Sequence, residues 1–348
     1  MPVNIKVTPT TPEVLVRVEN LSKHFYSHSA FFSKKSKPLK AVDRVSFVIN
    51  KGETLGIVGE SGCGKSTLGR LLLRLLEPTA GEIFFEETNV TRLSPDKLKA
   101  LRKEMQMIFQ NPYGSLNPWM TIKDLIAEPL LLHTSVKKHE VEEQVYELLQ
   151  KVGLNQHNIR KYPHEFSGGQ RQRICIARSL AVKPKFVVCD EPVSALDVSI
   201  QSQILNLLGD LQREFNLTYL FISHSFSVIR NIADRVAVMY LGKIVEISSV
   251  EDLFKNPSHP YTITLLSSIP PPNPDIKRKR LEVIGEIPSQ SDLPTGCRYS
   301  TRCTYKIKIC EQQEPELINT GNDHFVACHV QREDLHYTFF FDSCHQAY

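Results

Sequence analysis

Apolar positions along the chain follow two periods, and the places where one gives way to the other outline the fold. Val14–Val18 and Val42–Ile49 are rich in β-branched residues and predict strands, and Thr54–Val58 predicts a short buried one. A leucine-rich run from Lys65 to about Leu76 has helical spacing, with Pro78 and Gly81 expected to end it. Residues 83–85 and 105–109 predict two more strands around a short helix, and residues 122–152 read as mostly helical. A regular alternation follows: helix over Gly169–Val182, strand over Lys185–Cys189, helix over Ile200–Phe215, strand over Leu217–Ile222. Such alternation implies an α/β fold, a mostly parallel sheet flanked by helices. After Asp252 the pattern fails among Pro257, Pro260, Pro270, Pro271, Pro272 and Pro274, and a charged run, Lys277-Arg-Lys-Arg280, follows. The chain therefore divides into units over 12–252 and 253–335, with a tail over 336–348. The polar, basic stretch Ser27–Lys40 is expected to form an extended hairpin loop.

Composition changes this picture little. Charged residues make up 23% and hydrophobic ones 41% of 348 residues, so a packed globular chain is expected. A formal net charge of +4 falls short of the basic footprint of a nucleic-acid binder, and none is expected as a partner. No apolar run reaches the roughly eighteen residues that span a bilayer. Met1–Thr11 has no apolar core for a secretory signal. The chain is expected in the cytoplasm, meeting a membrane only through a partner.

The chemistry begins at Gly59, Glu60, Ser61, Gly62, Cys63, Gly64, Lys65, Ser66 and Thr67, a Gly-x4-Gly-Lys-Ser loop between a strand and a helix. Its glycines let successive N–H groups face inward as an anion nest, and the helix that starts there adds its positive end. Lys65 is placed to neutralise β- and γ-phosphate and the Ser66 hydroxyl to bind Mg²⁺, which predicts an ATP site. Cys63 contributes backbone only. Asp190 and Glu191 end the apolar strand at 186–189. Asp190 is expected to hold the metal and Glu191 to act as general base on the attacking water.

Phe166-Ser167-Gly168-Gly169-Gln170-Arg171-Gln172-Arg173 resembles the signature of ATP-binding-cassette (ABC) ATPases, with Phe where Leu is most usual. It is a second anion-binding helix start. The resemblance implies that Ser167, Gly168, Gly169 and Gln170 close over the ATP of a partner chain in a head-to-tail dimer. It further implies that Gln110 contacts Mg²⁺ and water, that Ser194 and Asp197 belong to a loop coupling the two sites, and that His224 contacts the γ-phosphate. Ser225 follows His224 where Asp or Glu is more usual. Phe25, with Tyr26 as the competing choice, fits the aromatic that stacks on adenine. The implied fold is a P-loop NTPase core with an antiparallel β subdomain, a helical signature subdomain over about 111–182 and a small cysteine-containing C-terminal extension.

Gln110–Pro118, Val193–Gln203 and His259–Thr262 narrow the resemblance to the ATP-binding subunits of oligopeptide and dipeptide importers, with nickel and glutathione importers as near relatives. That implies a second, non-identical ATPase subunit, two permease subunits, an extracytoplasmic substrate-binding protein acting indirectly, and a peripheral place on the cytoplasmic membrane face. Tyr113–Met120 is where a permease helix is expected to dock, with Trp119 and Met120 either its anchors or packed within the helical subdomain. A cassette ATPase of DNA repair or translation is the rival reading. The spacing from Gly59 to Ser167 leaves no room for a long coiled-coil insertion, and one cassette is present where translation-type members carry two. Finally, Cys297, Cys303, Cys310 and Cys328 cluster in a loop-rich segment. Four such ligands can hold Zn²⁺ or a [4Fe–4S] cluster, or remain free thiols. The lack of Cys-x2-Cys knuckles favours iron–sulfur, as does the same quartet in the resembling importers.

Overall fold

The computed structural model describes residues 13–26, 37–269, 285–286, 288–330 and 335. Most of the Ser27–Lys40 loop, the 277–280 charged run and the far tail lie outside them. Strands β1 (Val14–Phe25), β2 (Leu39–Asn50), β4 (Ala80–Phe85) and β5 (Thr88–Asn89) form an antiparallel sheet in the order β2-β1-β4-β5. β1 runs seven residues past its expected end, because a bulge at left-handed Asn20 lets alternation resume at buried Leu21. Gly81 does not end the preceding helix; it sits inside β4 at φ +88°, where a Cβ would lie 2.4 Å from the Asn20 carbonyl. The glycine is what lets β4 approach the bulge.

The second sheet combines β3 (Thr54–Val58), β6 (Met105–Ile108), β7 (Phe186–Asp190), β8 (Thr218–Ile222), β9 (Arg235–Tyr240), β10 (Lys243–Ser249), β11 (Ile318–Asn319) and β12 (Phe325–Val326). The order is β11-β12-β10-β9-β3-β8-β7-β6. The five strands from β9 to β6 are parallel, and β10, β12 and β11 add antiparallel pairs at one edge. β3, β7 and β8 are buried throughout, as expected of strands covered on both faces.

Helices α1 (Lys65–Leu72), α2 (Pro95–Leu101) and α3 (Pro112–Ser115) are short. α1 stops well before Leu76 because Arg74 turns left-handed and closes a turn onto Leu71. The segment 122–152 is two helices, α4 (Ile122–His133) and α5 (Lys138–Lys151). Thr134 breaks it, its Oγ1 donating back to the Leu130 carbonyl at 2.6 Å. With α6 (Gly168–Leu180) they pack into one helical layer, Leu125, Val145 and Ile174 among its core. Helices α7 (Val198–Phe215), α8 (Phe226–Ile232), α9 (Val250–Lys255), α10 (Pro260–Ser267) and α11 (Ile309–Gln312) complete the chain.

The region after 252 is sewn into this frame. β12 pairs with β10, and Tyr299 packs edge-on against Tyr240 and tilted against Tyr261, at 5.3 and 5.4 Å between ring centroids. His324 is buried between two carboxylates: Nε2 lies 2.7 Å from Glu246 and Nδ1 2.7 Å from Asp252. Burial opposes the charged ring, yet Glu246 and Asp252 outweigh it and hold the His324 pKa above its ordinary 6.5. A raised folded pKa stabilises fully below the unfolded value and is lost as pH rises through the folded one. Relative to His324→Gln, the wild type should lose melting temperature as pH climbs from about 6.5. Parallel melting curves for the two proteins across that range would refute the tether.

Candidate active site

The strand β3 ends at Val58 and the chain turns through Gly59–Gly64 into α1. Gly64 sits at φ +110°, and a Cβ there would lie 2.0 Å from the Ala41 carbonyl, so only glycine lets the loop pass β2. Lys65 is buried, and its Nζ donates to the carbonyls of Gly59 and Glu60 at 2.7 and 3.0 Å. Ser66 Oγ donates to Asp190 Oδ1 at 2.8 Å, joining the loop to the end of β7. Asp190 is 1% exposed, and burial holds its pKa above the usual carboxylate value despite the Ser66 hydrogen bond. A cation beside Ser66 would supply the charge this carboxylate lacks.

Glu191 adopts a left-handed backbone, φ 46°, with its N–H donated to the Ile222 carbonyl at 3.0 Å. That turn aims its carboxylate at two partners. Gln110 Nε2 donates to Oε2 at 2.9 Å, and His224 Nδ1 lies 3.4 Å from the same oxygen. Three residues far apart in sequence thus meet on one carboxylate. They share a cavity of about 560 Å³ with Lys65 and Ser66, which Phe25 and Leu39 also line.

Ser61, Gly62, Gly64 and Thr67 also line this cavity, and Tyr26 does not. Gly59, Glu60, Cys63 and Asp190 do not line it, and burial pushes the Cys63 thiol up. Ser167, Gly168, Gly169, Gln170, Ser194 and Asp197 are absent from it. Ser167 and Gln170 instead cap α6 reciprocally, Ser167 N–H to Gln170 Oε1 at 3.0 Å and Gln170 N–H to Ser167 Oγ at 3.4 Å. Asp197 is the N-cap residue of α7, and Ser194 Oγ donates to the Glu191 carbonyl at 3.1 Å. Ser225 caps α8, its Oγ accepting from the Val228 N–H at 3.4 Å. Three lining residues carried no sequence signal: Leu39 and Ala41, both in β2, and Gln290, whose side chain donates to the Gly62 carbonyl.

A family model described as ABC transporter matches residues 42–194, and one described as oligopeptide/dipeptide transporter, C-terminal region, matches residues 245–310. The oligopeptide transport ATP-binding protein AppF of Bacillus subtilis is 51% identical over 93% of this chain and 99% of its own length. The dipeptide transport ATP-binding protein DppF of Escherichia coli is 46% identical over 93% and 97%. The chain belongs to the ATP-binding subunits of oligopeptide and dipeptide transporters. The fold agrees: the ATP-binding cassette MJ0796, in a dimeric post-hydrolysis state bound to ADP and Pi, superposes with a TM-score of 0.61 at 27% identity, over 68% of this chain and 99% of that one. As an ABC ATPase this subunit binds and hydrolyses ATP with Mg²⁺. Among the described residues no helix is long and apolar enough to cross a membrane.

Two further features of this transporter subunit lie outside the cavity. Cys297, Cys303, Cys310 and Cys328 come together near α11, with the Cys297 N–H donated to the Cys310 carbonyl at 2.8 Å. Burial, and then the neighbouring thiols, push Cys297 up to about 11 and Cys328 to about 12. Among the described residues no three His, Cys, Asp or Glu side chains stand in a single-ion arrangement. The second feature is a groove of about 330 Å³ between β6 and the helical layer, lined in part by Leu75, Phe109, Pro129 and Leu132. Phe109 and Leu132 are exposed, as are Tyr113 and Trp119 nearby in the chain, whereas Met120 packs against the core.

Proposed function

We propose that this chain energises peptide import through a membrane permease, using one half of a two-chain ATP site. The observation that carries the reading is the convergence of Gln110, Glu191 and His224 on one carboxylate oxygen beside Lys65 and Ser66. Phe25 would stack on adenine. The N–H groups of Gly59–Thr67 and the Lys65 ammonium would hold the phosphates. Ser66 and Asp190, already hydrogen-bonded to each other, fit a Mg²⁺ ion, with Gln110 at its edge. Bound there, the ion would neutralise phosphate charge. Glu191 would take the proton of the attacking water while Gln110 and His224 keep its carboxylate aimed, and His224 would contact the γ-phosphate.

Ser167–Gln170 do not line this cavity, so we assign them to the site of a second, non-identical ATPase subunit, with Ser194 and Asp197 coupling the two. The dimeric cassette that shares the fold supports such a pairing. The exposed Phe109 and Leu132 of the groove, with exposed Tyr113 and Trp119 nearby in the chain, suit the cytoplasmic helix of a permease, since aromatic residues anchor interfaces. Two permease subunits would place this chain on the cytoplasmic face of the membrane, below an extracytoplasmic substrate-binding protein.

The four cysteines suit a [4Fe–4S] cluster better than zinc. Their spacing lacks the Cys-x2-Cys knuckles usual in structural zinc sites, and a cluster held by four thiolates would cross-link the loops of this region. The test is anaerobic purification with the permease, followed by reconstitution in vesicles. ATP-dependent uptake of di- or oligopeptides and iron matched by acid-labile sulfide are expected. Uptake of nickel or glutathione but not peptides would refute the peptide cargo, and co-purifying DNA or ribosomes would refute the transport reading; zinc without iron would refute the cluster.

A further inference from the structure

Arg302, in the cysteine-bearing segment, reaches across 242 residues to the glycine-rich loop. Its Nη1 and Nη2 donate to Oε2 and Oε1 of Glu60 at 2.8 and 2.9 Å, a two-point fork. The guanidinium is 5% exposed and stands 5.8 Å from the ring centroids of both Tyr240 and Tyr299. The remaining polar groups of Glu60 are tied as well. Its N–H donates to Tyr261 Oη at 2.9 Å, and its carbonyl accepts from Lys65 Nζ at 3.0 Å and from the Cys63 N–H at 3.3 Å. Thus two of these four constraints, the Arg302 fork and Tyr261, come from the chain beyond 252. Gln290 adds another contact from the same region, to the Gly62 carbonyl.

An unanswered carboxylate next to an anion nest would repel the phosphates the nest is shaped to hold, most strongly where water is excluded. We propose that Arg302 is a positioning residue of the ATP site, neutralising Glu60 and fixing the loop backbone whose N–H groups face the phosphates. The C-terminal region thereby forms part of the nucleotide site of its own chain. The proposal rests on reading residues 59–67 as the phosphate loop. If Arg302 merely fastened the C-terminal region to the sheet, its loss would lower stability and leave nucleotide affinity in the folded protein alone.

Mg-ATP is titrated by calorimetry into wild type, Arg302→Met, Glu60→Gln and the double variant, with Lys65→Ala as a control. Arg302→Met is expected to weaken binding about tenfold, the scale of one charge left unpaired. Adding Glu60→Gln should recover most of that loss, because the charge needing an answer has gone. In the assembled transporter the Arg302→Met KM for ATP should rise with kcat within about twofold, as for lost uniform binding. Unchanged affinity in Arg302→Met, or a loss that Glu60→Gln deepens, overturns the proposal. Should Arg302→Met fail to fold, Arg302→Lys keeps the charge but not the fork and is expected to weaken binding about threefold; no change overturns it. Lys65→Ala binding as tightly as wild type would instead refute the phosphate-loop reading, and the proposal with it.

Discussion

Replacing Glu191 with Gln should lower steady-state ATP turnover about 10²–10⁴-fold in the assembled transporter, the usual worth of a general base. Binding of Mg-ATP should survive. The substitution is nearly isosteric, so the left-handed turn at φ 46° and the Glu191 N–H bond to Ile222 have no reason to change. A Gln carbonyl can still accept from Gln110. What is lost is basicity at the atom on which Gln110 and His224 converge. A left-handed non-glycine residue costs on the order of 1–3 kcal/mol, and here the fold spends it on aiming a side chain. Turnover and affinity are measured on the same preparation. Near-normal turnover would remove Glu191 from the base role, whereas lost binding would make it a structural element of the pocket.

The parts of this site that were legible in sequence are those whose chemistry is local. The glycine-rich loop announces itself through spacing between a strand and a helix, and Asp190 and Glu191 through their place after an apolar strand. Gln110, His224 and Ser167–Gln170 were legible only as a set, because each alone is an ordinary polar residue. Leu39, Gln290 and Arg302 were not legible. Their roles come from packing across the whole chain, with Gln290 lying 228 residues from the Gly62 it contacts and no periodicity marking it.

The fold divides in the same way. The alternating parallel core followed from pattern as far as β8; parallel β9 was not read, and β10 to β12 were hidden because the antiparallel edge abandons strand–helix alternation. The break between α4 and α5 was hidden because the residues on either side keep helical spacing. It is made by a side chain bonding back to its own backbone at Thr134. The length of β1 was hidden by polar Asn20, which interrupts the apolar alternation and which the structure uses as a bulge.

The second large effect is expected at Gly168. A Cβ at this position would meet nothing nearer than Leu196 Cδ2, at 3.5 Å, and the residue has no left-handed φ. Gly168→Asp is therefore cheap for the fold. It is costly for a shared site, because it sets a carboxylate at the start of α6, where a partner's γ-phosphate would have to dock against the helix N-terminus. Turnover of the assembled transporter should fall about 10²–10³-fold, the scale of losing one preorganised donor to developing charge. The isolated chain should bind Mg-ATP as before, since Gly168 does not line the cavity formed by Phe25, Lys65 and His224. The paired measurement separates the two possible homes of the signature. Turnover lost with affinity kept places Ser167–Gln170 over the partner's nucleotide. Affinity lost in the isolated chain would put them in the chain's own site, and the two-chain reading would fail.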